Sequence, residues 1–155
     1  MDIYGLFEWL ENTPVGGSIK ESLWMFPAIE AVHLLALALL GGSLLMVDLR
    51  LLGVGLAGQA PSAVERAARP WLILAVSTLI VTGVLIGLSE ALKLYGKPAY
   101  WVKMATLAVA LIFTFAVKNP LAHRDVSGPA ARALAVVSLA LWLTVALAGR
   151  WIGFS

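Results

Sequence analysis

In a chain of 155 residues, 61% are apolar and 13% are charged, with a mean hydropathy of +0.91; a typical soluble domain is about 45–50% apolar and about 25% charged, so this chain has too little polar surface to fold alone in water. The balance is the reverse of that in a disordered chain, and a formal charge of +2 scattered along the sequence gives no basic face for nucleic acid. Without cysteine there is no disulfide, thiolate zinc site or catalytic thiol.

The first residues are acidic: Asp2, Glu8, Glu11 and Glu21 stand against Lys20, the opposite of the basic start of a signal peptide. Ile3 to Leu10 interleaves aromatic and aliphatic groups and is expected to lie at the membrane interface as a short amphipathic helix. Ser18 to Phe26 then leads into the first span. Crossing the hydrocarbon needs ~20 mostly apolar residues, and four stretches qualify, at about 27–54, 71–92, 99–117 and 133–151. Pro27, Pro70, Pro98 and Pro129 mark their starts, where a missing N–H does no harm, and Pro120 falls just past the third. Polar linkers over 57–69, 93–98 and 118–132 separate them. The expected fold is all-α: one membrane domain over 1–155, an interfacial segment over 1–26, and a four-helix up-down bundle with consecutive spans as antiparallel neighbours.

Four spans put both termini and the 93–98 turn on one side, with Lys20, Lys93, Lys97, Lys103 and Arg150. The other side carries Arg50, Arg66, Arg69, Lys118, Arg124 and Arg132. The excess of basic residues on the second side leans toward termini outside the cytoplasm.

Ionisable residues inside spans are costly and mark functional positions. The first span holds Glu30, His33, Asp48 and Arg50. At ~100° per residue Glu30, Leu37, Gly41, Leu44 and Asp48 share a stripe, with His33 to its side. In the second span Gly83-x-x-x-Gly87 offers close approach to a partner helix, with Glu90 on the same face. The third carries a stripe of Lys103, Thr106, Ala110 and Thr114. These place Glu30, His33, Glu90 and Lys103 at one depth near the termini, with Ser89, Met104 and Arg150 beside them. Asp48 and Arg50 are expected to end the first helix and pair with loop charges, near His123 and Arg124. Each charged pair also reads as an ion-pair clamp between helices, and His33 as a hydrogen-bonded structural histidine.

Glu30-x-x-His33 matches half of a di-iron motif, but the second motif and the additional carboxylates are missing. His33 and His123 lie a hydrocarbon thickness apart, so one chain cannot ligate a haem with both. Haem b would take His33 alone, His33 with Met25 or Met104, or two chains sharing it; copper would take Met25, His33 and Met104, since thioether and imidazole suit Cu(I). No order of Ser, His and Asp and no phosphate loop points to conventional catalysis.

The runs Trp24-Met25-Phe26-Pro27-Ala28-Ile29-Glu30-Ala31-Val32-His33, Val47-Asp48-Leu49-Arg50-Leu51-Leu52-Gly53, Tyr100-Trp101-Val102-Lys103-Met104 and Gly149-Arg150-Trp151-Ile152 resemble a family of small bacterial inner-membrane proteins of unknown function. More distantly, His33-Leu34-Leu35 followed by the Gly41-Gly42 pair is similar to the copper-resistance CopD group and to membrane b-type cytochromes. The combined expectation is a non-enzymatic inner-membrane protein with periplasmic termini. In it His33 ligates haem b or copper, Glu30 orients the imidazole, and Lys103 and Arg150 neutralise nearby carboxylates or haem propionates. The alternative is an accessory subunit that packs its Gly83 and Gly87 face in a homo-oligomer or larger membrane complex. A third is a proton or solute path along Glu30, His33, Thr106 and Asp48.

Overall fold

The computed structural model describes residues 3–154, and among these every regular element is helical. In chain order they are α1 (Ile3–Glu11), α2 (Pro14–Glu21), α3 (Met25–Leu52), α4 (Pro61–Ser89), α5 (Ala91–Tyr95), α6 (Pro98–Ile112), a π-helical segment (Phe113–Lys118), α7 (Asn119–His123) and α8 (Gly128–Ile152). Four helices are long and apolar enough to cross a membrane: α3, α4, the continuous run Pro98–His123, and α8. Their order gives the expected up-down sense, with a terminal face and a loop face.

All four begin before their predicted apolar stretches, and the third and fourth also end after them. α3 stops where Gly53 adopts φ +77°, a left-handed cap that glycine takes without a Cβ penalty. α4 starts at Pro61 instead of near Trp71, and Pro70 lies inside it. An interior proline costs ~3 kcal/mol, and the packing of the added turns compensates. Val64 and Ala68 join Val47, Leu51, Ala122, Ala131 and Ala135 in a loop-side core. Residues 61–69, read as linker from their charge, are therefore helix. A second core, Leu40, Leu44, Leu72 and Ala75, continues toward the terminal face.

The third span also outruns its prediction: the helix passes through Pro120 to His123. Proline lacks an N–H and its ring crowds the carbonyl four residues back, here Ala116. Ala116 sits in the π segment, whose wider winding absorbs such a misfit. Lys118, expected in the loop, is thereby carried inside the bundle.

α3 packs chiefly on α4, α6 on α8, and α3 on α8, while α4 reaches the third span mainly through α7. The second and third spans are consequently not close neighbours along their length. α5 carries the chain across the terminal face between them.

That face is covered by α1 and α2. The Thr13 hydroxyl caps α2 by accepting from the Gly16 N–H at 3.2 Å, and Pro14 occupies the first turn, where its missing N–H costs nothing. α2 begins at Pro14, four residues before the Ser18 expected from sequence, and Met25 and Phe26 already belong to α3. Ile19 is buried, and a Cβ on Gly16 would lie 2.7 Å from the Leu88 carbonyl oxygen, so glycine permits α2 to touch the α4 backbone. Phe7 of α1 meets Tyr95, Tyr100 and Trp101 in edge and tilted contacts.

Candidate functional site

On the terminal side the residues expected to converge are distributed over several partners. His33 Nδ1 lies 2.7 Å from Thr82 Oγ1, and Thr82 Oγ1 donates its own proton to the Thr78 carbonyl at 2.7 Å. A hydroxyl has one proton, so Thr82 accepts from His33 Nδ1–H. This assigns the neutral imidazole to the Nδ1–H tautomer and leaves the Nε2 lone pair unused. Gly83 faces His33: a Cβ there would sit 3.5 Å from His33 Cε1, an ordinary van der Waals distance. Of the glycine pair expected to receive a partner helix, Gly83 is thus turned toward α3 of the same chain, whereas a Cβ on Gly87 would meet nothing within 4 Å.

Lys103 lies along α8, its Nζ 3.6 Å from where a Gly149 Cβ would be, half-buried and without a hydrogen bond or ion pair among the described residues. Glu30 is exposed and likewise unpaired. Glu90 pairs with Lys93 at 2.8 Å, not with Lys103, because it sits in the break between α4 and α5. Arg150 is exposed and stacks over Phe154 at 4.4 Å. Met25 and Met104 are both exposed.

Glu11, one of the acidic N-terminal residues, organises the terminal face. It pairs with Lys20 and accepts the Leu92 N–H at 2.8 Å. The Lys20 ammonium, seconded by that N–H, holds its carboxyl below the usual carboxylate range. A cleft of about 420 Å³ beside it is lined by Glu11, Lys20, Phe26, Ser89, Glu90 and Lys93 among others.

The densest polar contact lies elsewhere. Lys118 Nζ donates to Asp48 Oδ1 and to Ser138 Oγ, both at 2.8 Å, and Ser138 donates to Asp48 Oδ2 at 2.8 Å. All three residues are fully buried. α3, the π segment and α8 each contribute one member, so the triad ties three spans together. One helical turn earlier Thr114 is also fully buried and accepts from Trp142 Nε1 at 3.0 Å. Asp48 therefore pairs with a residue expected in the loop after the third span, Lys118, which the π segment carries into the bundle. Arg50 does reach the loop, donating to the Gln59 carbonyl.

The helical wheel explains the contrast between Glu30 and Asp48. The buried face of α3 is Ala36, Leu40, Ser43, Leu44, Val47, Asp48 and Leu51. At ~100° per residue it centres near Leu40, with His33 close to its middle and Glu30 and Asp48 both ~80° to one edge. At the level of Asp48 the π segment and α8 cover that edge. Glu30 has no such cover.

On the loop face, buried Glu65 of α4 accepts from His123 Nδ1 at 3.1 Å, joining α4 to α7. A cleft of about 290 Å³ opens there. Among the described residues no group of three or more His, Asp or Glu is arranged to hold a metal ion.

One protein-family model, described as "Family of unknown function (DUF6644)", matches residues 6–155. No curated protein and no solved structure matches the chain.

Proposed function

The chain belongs to this family of unknown function, and from its own residues we propose that it is an inner-membrane protein that binds a redox metal centre, haem b or copper, through Nε2 of His33, for electron transfer or metal handling. The carrying observation is the Thr82 contact, which fixes the ring and its Nδ1 proton. A histidine ligand ordinarily donates its other N–H to a fixed acceptor, most often a carboxylate, carbonyl or water, and here the Thr82 hydroxyl takes that place. Half-buried Lys103 supplies an unpaired cation on the same side for a propionate or another anionic group. Met25 and Met104 are candidates for a second ligand. The looser likeness to CopD-type proteins and b-type cytochromes points the same way. The basic excess on the loop face favours periplasmic termini in a bacterial inner membrane.

The test is a reduced-minus-oxidised spectrum with metal analysis on one mildly solubilised, reconstituted sample. Wild type is expected to carry a Soret band or stoichiometric copper, and His33→Ala to lose it. Thr82→Val should weaken binding about 10–100-fold, the usual effect of removing an outer partner of a ligand. Wild type carrying neither haem nor metal overturns the reading.

A second reading, an accessory subunit in a homo-oligomer or larger complex, is favoured by Ala38 and Gly42. They are exposed and four residues apart on α3, and a Cβ on Gly42 would meet nothing within 4 Å, the small-residue spacing that lets helices approach. Under this reading Gly42→Leu shifts the oligomer mass in detergent and His33→Ala does not.

A further inference from the structure

The loop-face cleft is chemically unlike the rest of the molecule. Three of the six Lys and Arg side chains on that face have protein partners: Arg50 bonds the Gln59 carbonyl, Arg66 the Ser62 carbonyl at 3.2 Å, and Lys118 is held by Asp48. Arg69 and Arg124 are exposed and make no side-chain hydrogen bond or ion pair among the described residues, yet both line the cleft. Their only acidic companion among the lining residues is Glu65, buried and engaged by His123. The nearby Asp125 carboxylate is held by the Ser62 N–H at 2.9 Å. Glu65 accepts the Nδ1 proton of His123, which leaves Nε2 for another partner.

Apart from Asn119, the remaining wall is apolar. Phe115 and Pro120 line the same cleft from within the membrane-spanning helix Pro98–His123. Phe115 is nine residues before Arg124, ~13 Å further along the helix. A basic rim at the helix end above an apolar wall within the span matches a molecule with an anionic head and a hydrocarbon body. A soluble anion would use the rim alone. Basic pockets between spans at a membrane face are where anionic lipid headgroups bind, and guanidinium forks suit phosphate oxygens.

We propose that the cleft between α4 and α7 is a binding site for an anionic phospholipid, its phosphate held by Arg69 and Arg124 and its glycerol and upper acyl region against Phe115 and Pro120. This site is independent of the His33 centre and is on the opposite face.

The experiment compares the full chain in nanodiscs of phosphatidylcholine with and without phosphatidylglycerol, and in detergent with either lipid or with inorganic phosphate, reading retained lipid by native mass spectrometry and the thermal midpoint. Phosphatidylglycerol is expected to be retained selectively and to raise the midpoint. Arg69→Gln and Arg124→Gln should each weaken retention about fivefold and together about thirtyfold, the effect of removing ~1 kcal/mol per basic side chain at a lipid surface. Both residues are exposed, so the variants keep the core. Arg66→Gln, at a guanidinium bonded to Ser62, serves as the charge-matched control and should retain lipid as wild type does. Equal retention of phosphatidylcholine overturns the site, as does a double variant or control that behaves otherwise. A response to inorganic phosphate equal to that to phosphatidylglycerol overturns the lipid assignment.

Discussion

A carboxylate and an ammonium that are both fully buried in a membrane bundle are stable only as long as each has the other. Their mutual attraction and the Ser138 hydroxyl offset desolvation, and removal of one partner leaves an uncompensated charge. Asp48→Ala and Lys118→Ala are each expected to destabilise the protein by about 3–5 kcal/mol, whereas the apolar pair Asp48→Leu with Lys118→Met should recover most of that. A double-mutant cycle of unfolding in mixed micelles measures the coupling, and additive single losses would contradict it. Asp125 is the corresponding case outside the spans. It adopts φ +55°, which Asp tolerates better than most residues, and the Ser62 N–H holds its carboxyl below the ordinary value of 3.8. A lowered folded pKa contributes stability that is present above the unfolded value and lost as pH falls through the folded one. Asp125→Asn keeps an acceptor for Ser62 but removes the charge, so its melting midpoint should fall less on acidification than that of wild type. Of these residues, Asp48 was legible as a charge inside a span, and His33 as an ionisable group near the opposite end of the same span. Lys118 was hidden by counting the span closed at Val117, although the stripe Lys103, Thr106, Ala110, Thr114 leads to it by one further step of four. Thr82 and Ser138 gave only the faint signal of a hydroxyl in an apolar run.

At the level of elements, apolar runs reported the number of helices but not their lengths. Hydropathy reads lipid contact, and α4 and α7 continue beyond the apolar stretch because they pack on each other and on α8. Proline misled in the same two places. Pro70 and Pro120 look like boundaries by local sterics, yet packing and the π segment accommodate both. α2 offers the sharpest test of an element. Its Gly16 touches the Leu88 carbonyl with no room for a methyl group, so Gly16→Ala should force the α1–α2 hairpin off the terminal face at a cost of about 1–3 kcal/mol, typical of overpacking. Faster limited proteolysis within residues 3–21, with α3 onward unchanged, is the expected result. Equal cleavage rates would place the close approach elsewhere.

For the whole molecule, the all-α class, four spans and up-down order were readable because a bilayer permits few alternatives for a chain of this composition. The pairing of helices was not, since hydropathy is silent on which neighbour each span prefers. The chain contains no cysteine, so single introduced thiols report topology directly. Gly58→Cys in the loop after α3 and Gly96→Cys beside α6 should be labelled by an impermeant maleimide from opposite sides of sealed vesicles. Labelling of both from one side would rule out four crossings.

The triad also sets a problem of timing. Asp48 and Lys118 are separated by 70 positions, so at roughly 5–20 residues per second the ribosome makes the acid roughly 4–14 s before the base. An aspartate at the middle of a lone helix costs about 2.5–3.5 kcal/mol to insert. Asp48 lies instead four residues from the end of α3, about 6 Å along the axis, where a young helix can keep it at the water boundary. Its partners Lys118 and Ser138 come only with the third and fourth spans. The triad thus closes late, complete only after Ser138 has been synthesised.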